Sequence, residues 1–98
     1  MNITPTKKDG TLIVAVSGKM DTATAPELEK FITENTEGIA ELILDLSDMN
    51  YTSSAGLRVL LKAQKLMNKQ GSMKVTGVQS EVMEIFDMTG FSDILTIE

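Results

Sequence analysis

The chain has 98 residues, 42% of them hydrophobic and 23% charged, which suits one domain with a single core and excludes a disordered or fibrous class. It contains no histidine and no cysteine, which removes disulfides, thiolate chemistry, zinc ribbons and the commonest general base together. A formal net charge of −5 and an aromatic content of 4% argue against direct nucleic-acid binding, whether by phosphate neutralisation or by base stacking.

No apolar stretch approaches the roughly 18 residues that span a bilayer, and the amino terminus lacks a basic-then-apolar secretory signal. The expectation is a cytoplasmic protein without membrane insertion, whose partners are other proteins. The seven methionines are scattered beside other apolar residues and read as flexible core filler rather than as a pliable binding surface.

Residues 3–6 and 12–17 read as strands, and Asp9-Gly10 between them supplies the positive φ angles of a tight hairpin turn. Pro5 cannot donate to a ladder, which places the first strand at a sheet edge. Thr24-Ala25-Pro26-Glu27 has the form of a capping box, with Leu28, Phe31 and Ile32 recurring at helical spacing behind it until the polar run 35–38. Residues 40–46 are short and almost continuously apolar, as a central strand is, with Leu42, Leu44 and Leu46 on one face.

From Ser54 a second helix turns Leu57, Leu60, Leu61 and Met67 inward and Arg58, Lys62, Lys65 and Lys69 mostly outward, ending at Gly71 as a left-handed terminator. Residues 73–78 read as a strand, Ser80 as the cap of a third helix through Met88, Gly90 as its stop and 94–97 as a last strand. The order β-β-α-β-α-β-α-β with short links predicts one α/β domain over residues 1–98. Right-handed crossovers then give a mostly parallel sheet with an N-terminal antiparallel hairpin and helices packed mainly on one face.

The run from Asp45 to Leu57 carries the candidate chemistry, because it delivers Ser53 and Ser54 to a helix start. A hydrolase reading fails for want of a base: there is no histidine, no Ser-x-x-Lys and no Gly-x-Ser-x-Gly. Phosphate-binding loops of the Gly-x-x-x-x-Gly-Lys-Ser/Thr or Gly-x-Gly-x-x-Gly type are absent as well. Two readings stay open on the loop alone: Ser54 caps the helix beginning at Ala55, or it is a hydroxyl acted upon by another protein. Asp21 is equally divided between organising its own loop and presenting charge to a partner. No catalytic residue, metal ligand or cofactor is expected.

Two separated segments resemble the signature segments of the STAS domain family, particularly its bacterial anti-sigma factor antagonists. They are Ser17-Gly18-Lys19-Met20-Asp21-Thr22-Ala23-Thr24, and Leu44-Asp45-Leu46-Ser47 through Ser53-Ser54-Ala55-Gly56-Leu57. A weaker third is Ile85-Phe86-Asp87-Met88-Thr89-Gly90-Phe91. The resemblance implies a protein that binds an anti-sigma factor which is also a serine kinase, frees a sigma factor, is switched off by phosphorylation and is restored by a serine phosphatase. Matched residue by residue, it places the phosphate on Ser54, with Ser53 as runner-up, and the partner-binding set at Asp21, Thr22, Ser53, Ser54, Gly56 and Arg58. Many antagonists carry aspartate where this chain has Ser53, and the final helix common in the family has no counterpart after the last predicted strand. The alternative implied by the same family is a STAS interaction module without a phosphorylation cycle, in a scaffold or transporter-associated complex.

Overall fold

The computed structural model describes all residues from Met1 to Glu98. Strand β1 (Asn2–Lys8) runs antiparallel to β2 (Thr11–Met20) from Asn2 opposite Ser17 to Lys8 opposite Thr11. The turn is Asp9-Gly10 with φ of 49° and 83°, a pair of positive values that glycine adopts freely and aspartate tolerates. Pro5 lies on β1, which pairs with β2 alone and forms the sheet edge.

Helix α1 (Ala25–Asn35) returns the chain to β3 (Glu41–Asp45), parallel to residues 11–15 of β2. A short β4 (Met49–Thr52) then pairs in parallel with residues 18–20 of β2, with a register shift between Gly18 and Lys19 that leaves Asn50 unpaired in that ladder. Helix α2 (Ser54–Asn68) leads to β5 (Ser72–Thr76) beside β3, and α3 (Ser80–Thr89) is followed by a single 3-10 turn at Phe91–Asp93. The order β1-β2-β3-β5, with β4 beside the far end of β2, is the mostly parallel sheet with an antiparallel hairpin expected from the sequence.

Alternation along the strands decides which face is covered. Leu12, Val14, Val16, Leu42, Leu44, Met73 and Val75 are buried and join Leu28, Ile32, Leu57, Leu60, Met67 and Phe86 of the helices in one cluster of 22 residues. Each large aliphatic side chain so enclosed stabilises the fold by about 1.5–3 kcal/mol relative to exposure. On the opposite face Ile13 stays 37% exposed and Lys74 pairs with Glu41 and Glu98, each at 3.4 Å.

Five local expectations require correction. The strand β4 was expected as loop; its burial pattern puts Met49 and Thr52 inside and Asn50 and Tyr51 outside, with no alternation to signal a strand. The capping box at Thr24 does not form: Thr24 has helical φ and ψ, and its hydroxyl accepts from the Asp21 amide at 2.9 Å. Gly71 is not a left-handed terminator; a Cβ there would overlap the Ala40 carbonyl, whose oxygen accepts from the Ser72 amide at 2.9 Å, so glycine lets two backbones meet. The cap of α3 is Gln79 rather than Ser80, although Gly90 ends that helix left-handed at φ 81° as expected. The last strand shrinks to one bridge between Ile97 and Val75, because Ile94 and Leu95 donate back to the Phe91 carbonyl and use that stretch in a helical turn.

Candidate functional site

The β2–α1 loop and the β4–α2 junction meet where β2 ends. The Ser53 amide donates to the Met20 carbonyl at 2.8 Å, and Thr52 lies opposite Met20 in the β2–β4 ladder. That contact places Asp21 and Thr22, the next two residues of one segment, beside Ser53 and Ser54 of the other. The sequence-predicted residues are thereby gathered at one end of the molecule.

Asp21 organises its own loop. Its Oδ1 accepts from the amides of Ala23 and Thr24, each at 3.0 Å, and its main-chain carbonyl accepts from the Ala25 amide at 2.8 Å. These bonds do the work expected of a capping box at Thr24. The amide and hydroxyl of Thr24, with smaller help from Ala23 and the Lys19 charge, hold the Asp21 carboxyl below its ordinary value of 3.8. A carboxyl whose pKa is depressed by folding stabilises the folded state above its unfolded value and loses that contribution as pH falls through the folded value. Stability should therefore decline below pH 3.8 through this group, and Asp21→Asn should flatten that part of a melting-temperature profile. A variant profile that overlays the wild type throughout the acid range would show that the bonds do not contribute.

Ser53 and Ser54 differ sharply in placement. Ser53, with extended φ −90° and ψ 176°, is the N-cap of α2, but its side chain makes no capping bond; its Oγ is shielded and has no hydrogen-bond partner in the protein. Ser54 is the first helical residue and is exposed. The capping role anticipated for Ser54 thus falls by position to Ser53, and the helix starts one residue earlier than Ala55. With no side-chain cap, the amides of Ser54, Ala55 and Gly56 keep their positive ends uncommitted at the dipole's N-terminus.

Gly56 contributes through packing and touches no outside surface. It is buried, and a Cβ there would collide with Thr52 Oγ1 and approach the Met20 Cγ and Cε atoms to 2.9 Å. Only glycine lets the first turn of α2 settle against β2 and β4, which in turn fixes where Ser54 emerges.

Arg58, one turn beyond Ser54, is exposed and lines a shallow groove of about 340 Å³ with Thr22, Ala25, Pro26, Ala55 and Val59. Glu29 and Lys62 close its far side through an ion pair at 2.7 Å. Tyr51, the one tyrosine of the chain, is 45% exposed on β4 two residues before Ser53. The site offers a free hydroxyl, unpaired amides and a cation at one helix start, but no base to activate the hydroxyl from within.

Residues 2–98 match the model of the STAS domain family. The chain is 36% identical to BtrV of Bordetella bronchiseptica, covering 99% of this chain and 85% of that protein. It is 31% identical to the anti-sigma-B factor antagonist of Bacillus subtilis, over 99% and 90% of the two chains. The crystal structure of an anti-sigma factor antagonist from Mycobacterium paratuberculosis superimposes with a TM-score of 0.87 at 26% identity, over 98% of this chain and 83% of that one. No helix of the protein is long and apolar enough to cross a membrane.

Proposed function

The chain belongs to the STAS domain family, and from that premise we propose that it is an anti-sigma factor antagonist, a binding protein rather than an enzyme. In this reading it works in the cytoplasm. Its unmodified form binds an anti-sigma factor that is also a serine kinase and so frees a sigma factor; phosphate on Ser54 ends the binding, and a serine phosphatase restores it. The observation that carries the reading is that Ser54 is exposed at the start of α2, next in the chain to Ala55, which lines one groove with Thr22 and Arg58.

Three features support it. Ser53, the runner-up acceptor, has its Oγ shielded, whereas a kinase must reach the oxygen it modifies. The uncommitted amides of the first turn and the helix dipole tolerate a dianion at Ser54, so the fold survives modification. A partner surface packed on a neutral hydroxyl would have to accommodate that dianion, and a loss of ~3 kcal/mol there weakens binding more than a hundredfold. A passive STAS module of a scaffold or transporter-associated complex is the outcome if no kinase acts.

The reading is tested by competition. The unmodified protein, titrated into a purified complex of the host's sigma factor with its anti-sigma factor, is expected to displace the sigma factor stoichiometrically. Retention of the sigma factor by every anti-sigma factor of the host at saturating protein would overturn the antagonist reading.

A further inference from the structure

We propose that Arg58 forms an intramolecular phosphate subsite for modified Ser54, closing over the phosphate and holding it against the first turn of α2. The inference deepens the proposed function and rests on its assignment of Ser54 as the acceptor. Ser54 and Arg58 are four residues apart on one helix, a spacing that stacks two side chains on the same face, with the acid N-terminal to the base in the favourable order. Both are exposed, so neither must be dragged from a core to meet the other.

Arg58 is also uncommitted. The ion pairs of the protein join Lys62 to Glu29, and Lys74 to Glu41 and Glu98; Arg58 takes part in none of them and donates no side-chain hydrogen bond. The next cation along the face, Lys62, is held by Glu29 at 2.7 Å and so is not the free partner. The carboxylate of Asp21, the nearest acid in the adjoining loop, is turned to the amides of Ala23 and Thr24. Thr22 lines the same groove as Arg58 and is exposed, so that the subsite opens onto a second hydroxyl-bearing residue. The planar guanidinium matches a phosphate by two parallel bonds, which a lysine at this position cannot reproduce.

The consequence is a switch with two parts. Modification adds about −1.5 to −2 charges at Ser54 and, in the same event, withdraws the Arg58 cation from the surface that a partner meets. A subsite of this kind favours the dianionic phosphate and lowers its second pKa from the ordinary value near ~6.

The test uses the full chain with phosphoserine incorporated genetically at position 54, so that its outcome does not depend on a kinase. In a phosphorus NMR titration, Arg58→Gln is expected to raise the second phosphate pKa by about half a unit relative to the otherwise identical phosphoprotein. Arg58→Lys should recover part of that shift, while Lys69→Gln, at the far end of α2, should leave the value unchanged. Circular dichroism of each variant establishes that the fold is intact. A titration curve for Arg58→Gln that overlays the parent would overturn the subsite. Failure of every host kinase to modify Ser54 would instead strike the proposed function and leave this measurement standing.

Discussion

Ser54→Ala is expected to displace the sigma factor as well as the unmodified protein does, whereas Ser54→Asp requires at least about tenfold more protein and phosphoserine at the same position about a hundredfold more. The order follows from what each side chain presents. Alanine keeps the surface neutral and removes no capping bond, because none is made by Ser54 or by its neighbour Ser53. Aspartate brings one charge on a short stem. Phosphate brings nearly two, with three oxygens to desolvate against a partner that was complementary to a hydroxyl. All three variants should melt within a few degrees of one another, since Ser54 is exposed and outside the core. Equal potency of Ser54→Ala and Ser54→Asp, at equal stability, would contradict an electrostatic switch at this position.

Gly56→Ala is expected to damage stability and binding together. The added methyl meets Thr52, 2% exposed, and Met20, fully buried, so neither neighbour has free space into which to retreat. Overpacking of this kind costs about 1–3 kcal/mol, and the better helix propensity of alanine returns at most ~1 kcal/mol of it. For a domain of this size a net cost of about 1 kcal/mol corresponds to a melting temperature lower by roughly 4–8 °C. The strain relaxes by lifting the first turn of α2, which carries Ser54, so the surviving folded protein should also displace the sigma factor less effectively. A variant that melts at or above the wild-type temperature would show that the close approach of α2 to β4 is not a constraint.

Much of this was legible in the sequence where local chemistry and tertiary packing agree. Asp9-Gly10 announces a hairpin because few residue pairs accept two positive φ angles in succession, and the turn is found there. Leu42, Leu44 and Leu46 announce a covered strand face by their alternation, and all three are fully buried. The sequence is mute where a residue's role is set by something distant in the chain. Gly71 is demanded by the Ala40 carbonyl some thirty positions earlier, and nothing in its neighbours distinguishes that from a helix stop.

The site shows the same division. Adjacent serines at a helix start were visible, but one residue's shift in the start of α2 decides which is the cap and which is presented to solvent. The residues that lead into that start form β4, whose pattern of Met49 and Thr52 inside with Asn50 and Tyr51 outside has neither a strand nor a helix period. Asp21, rather than the capping box its neighbours spell out, ties the facing loop: its carboxylate accepts from the amides of Ala23 and Thr24, and Thr24 keeps helical φ and ψ. The groove beside Arg58 depends on α1 and α2 lying side by side, which no single segment encodes.

The central claim is that Ser54 is the hydroxyl on which the partner acts, and phosphate mapping tests it most directly. The protein is incubated with ATP, magnesium and each anti-sigma factor kinase of its host, and the modified residue is located by mass spectrometry. A single phosphate on Ser54, absent from Ser54→Ala, is the result this account predicts; phosphate on Ser53, or none with any kinase, would contradict it.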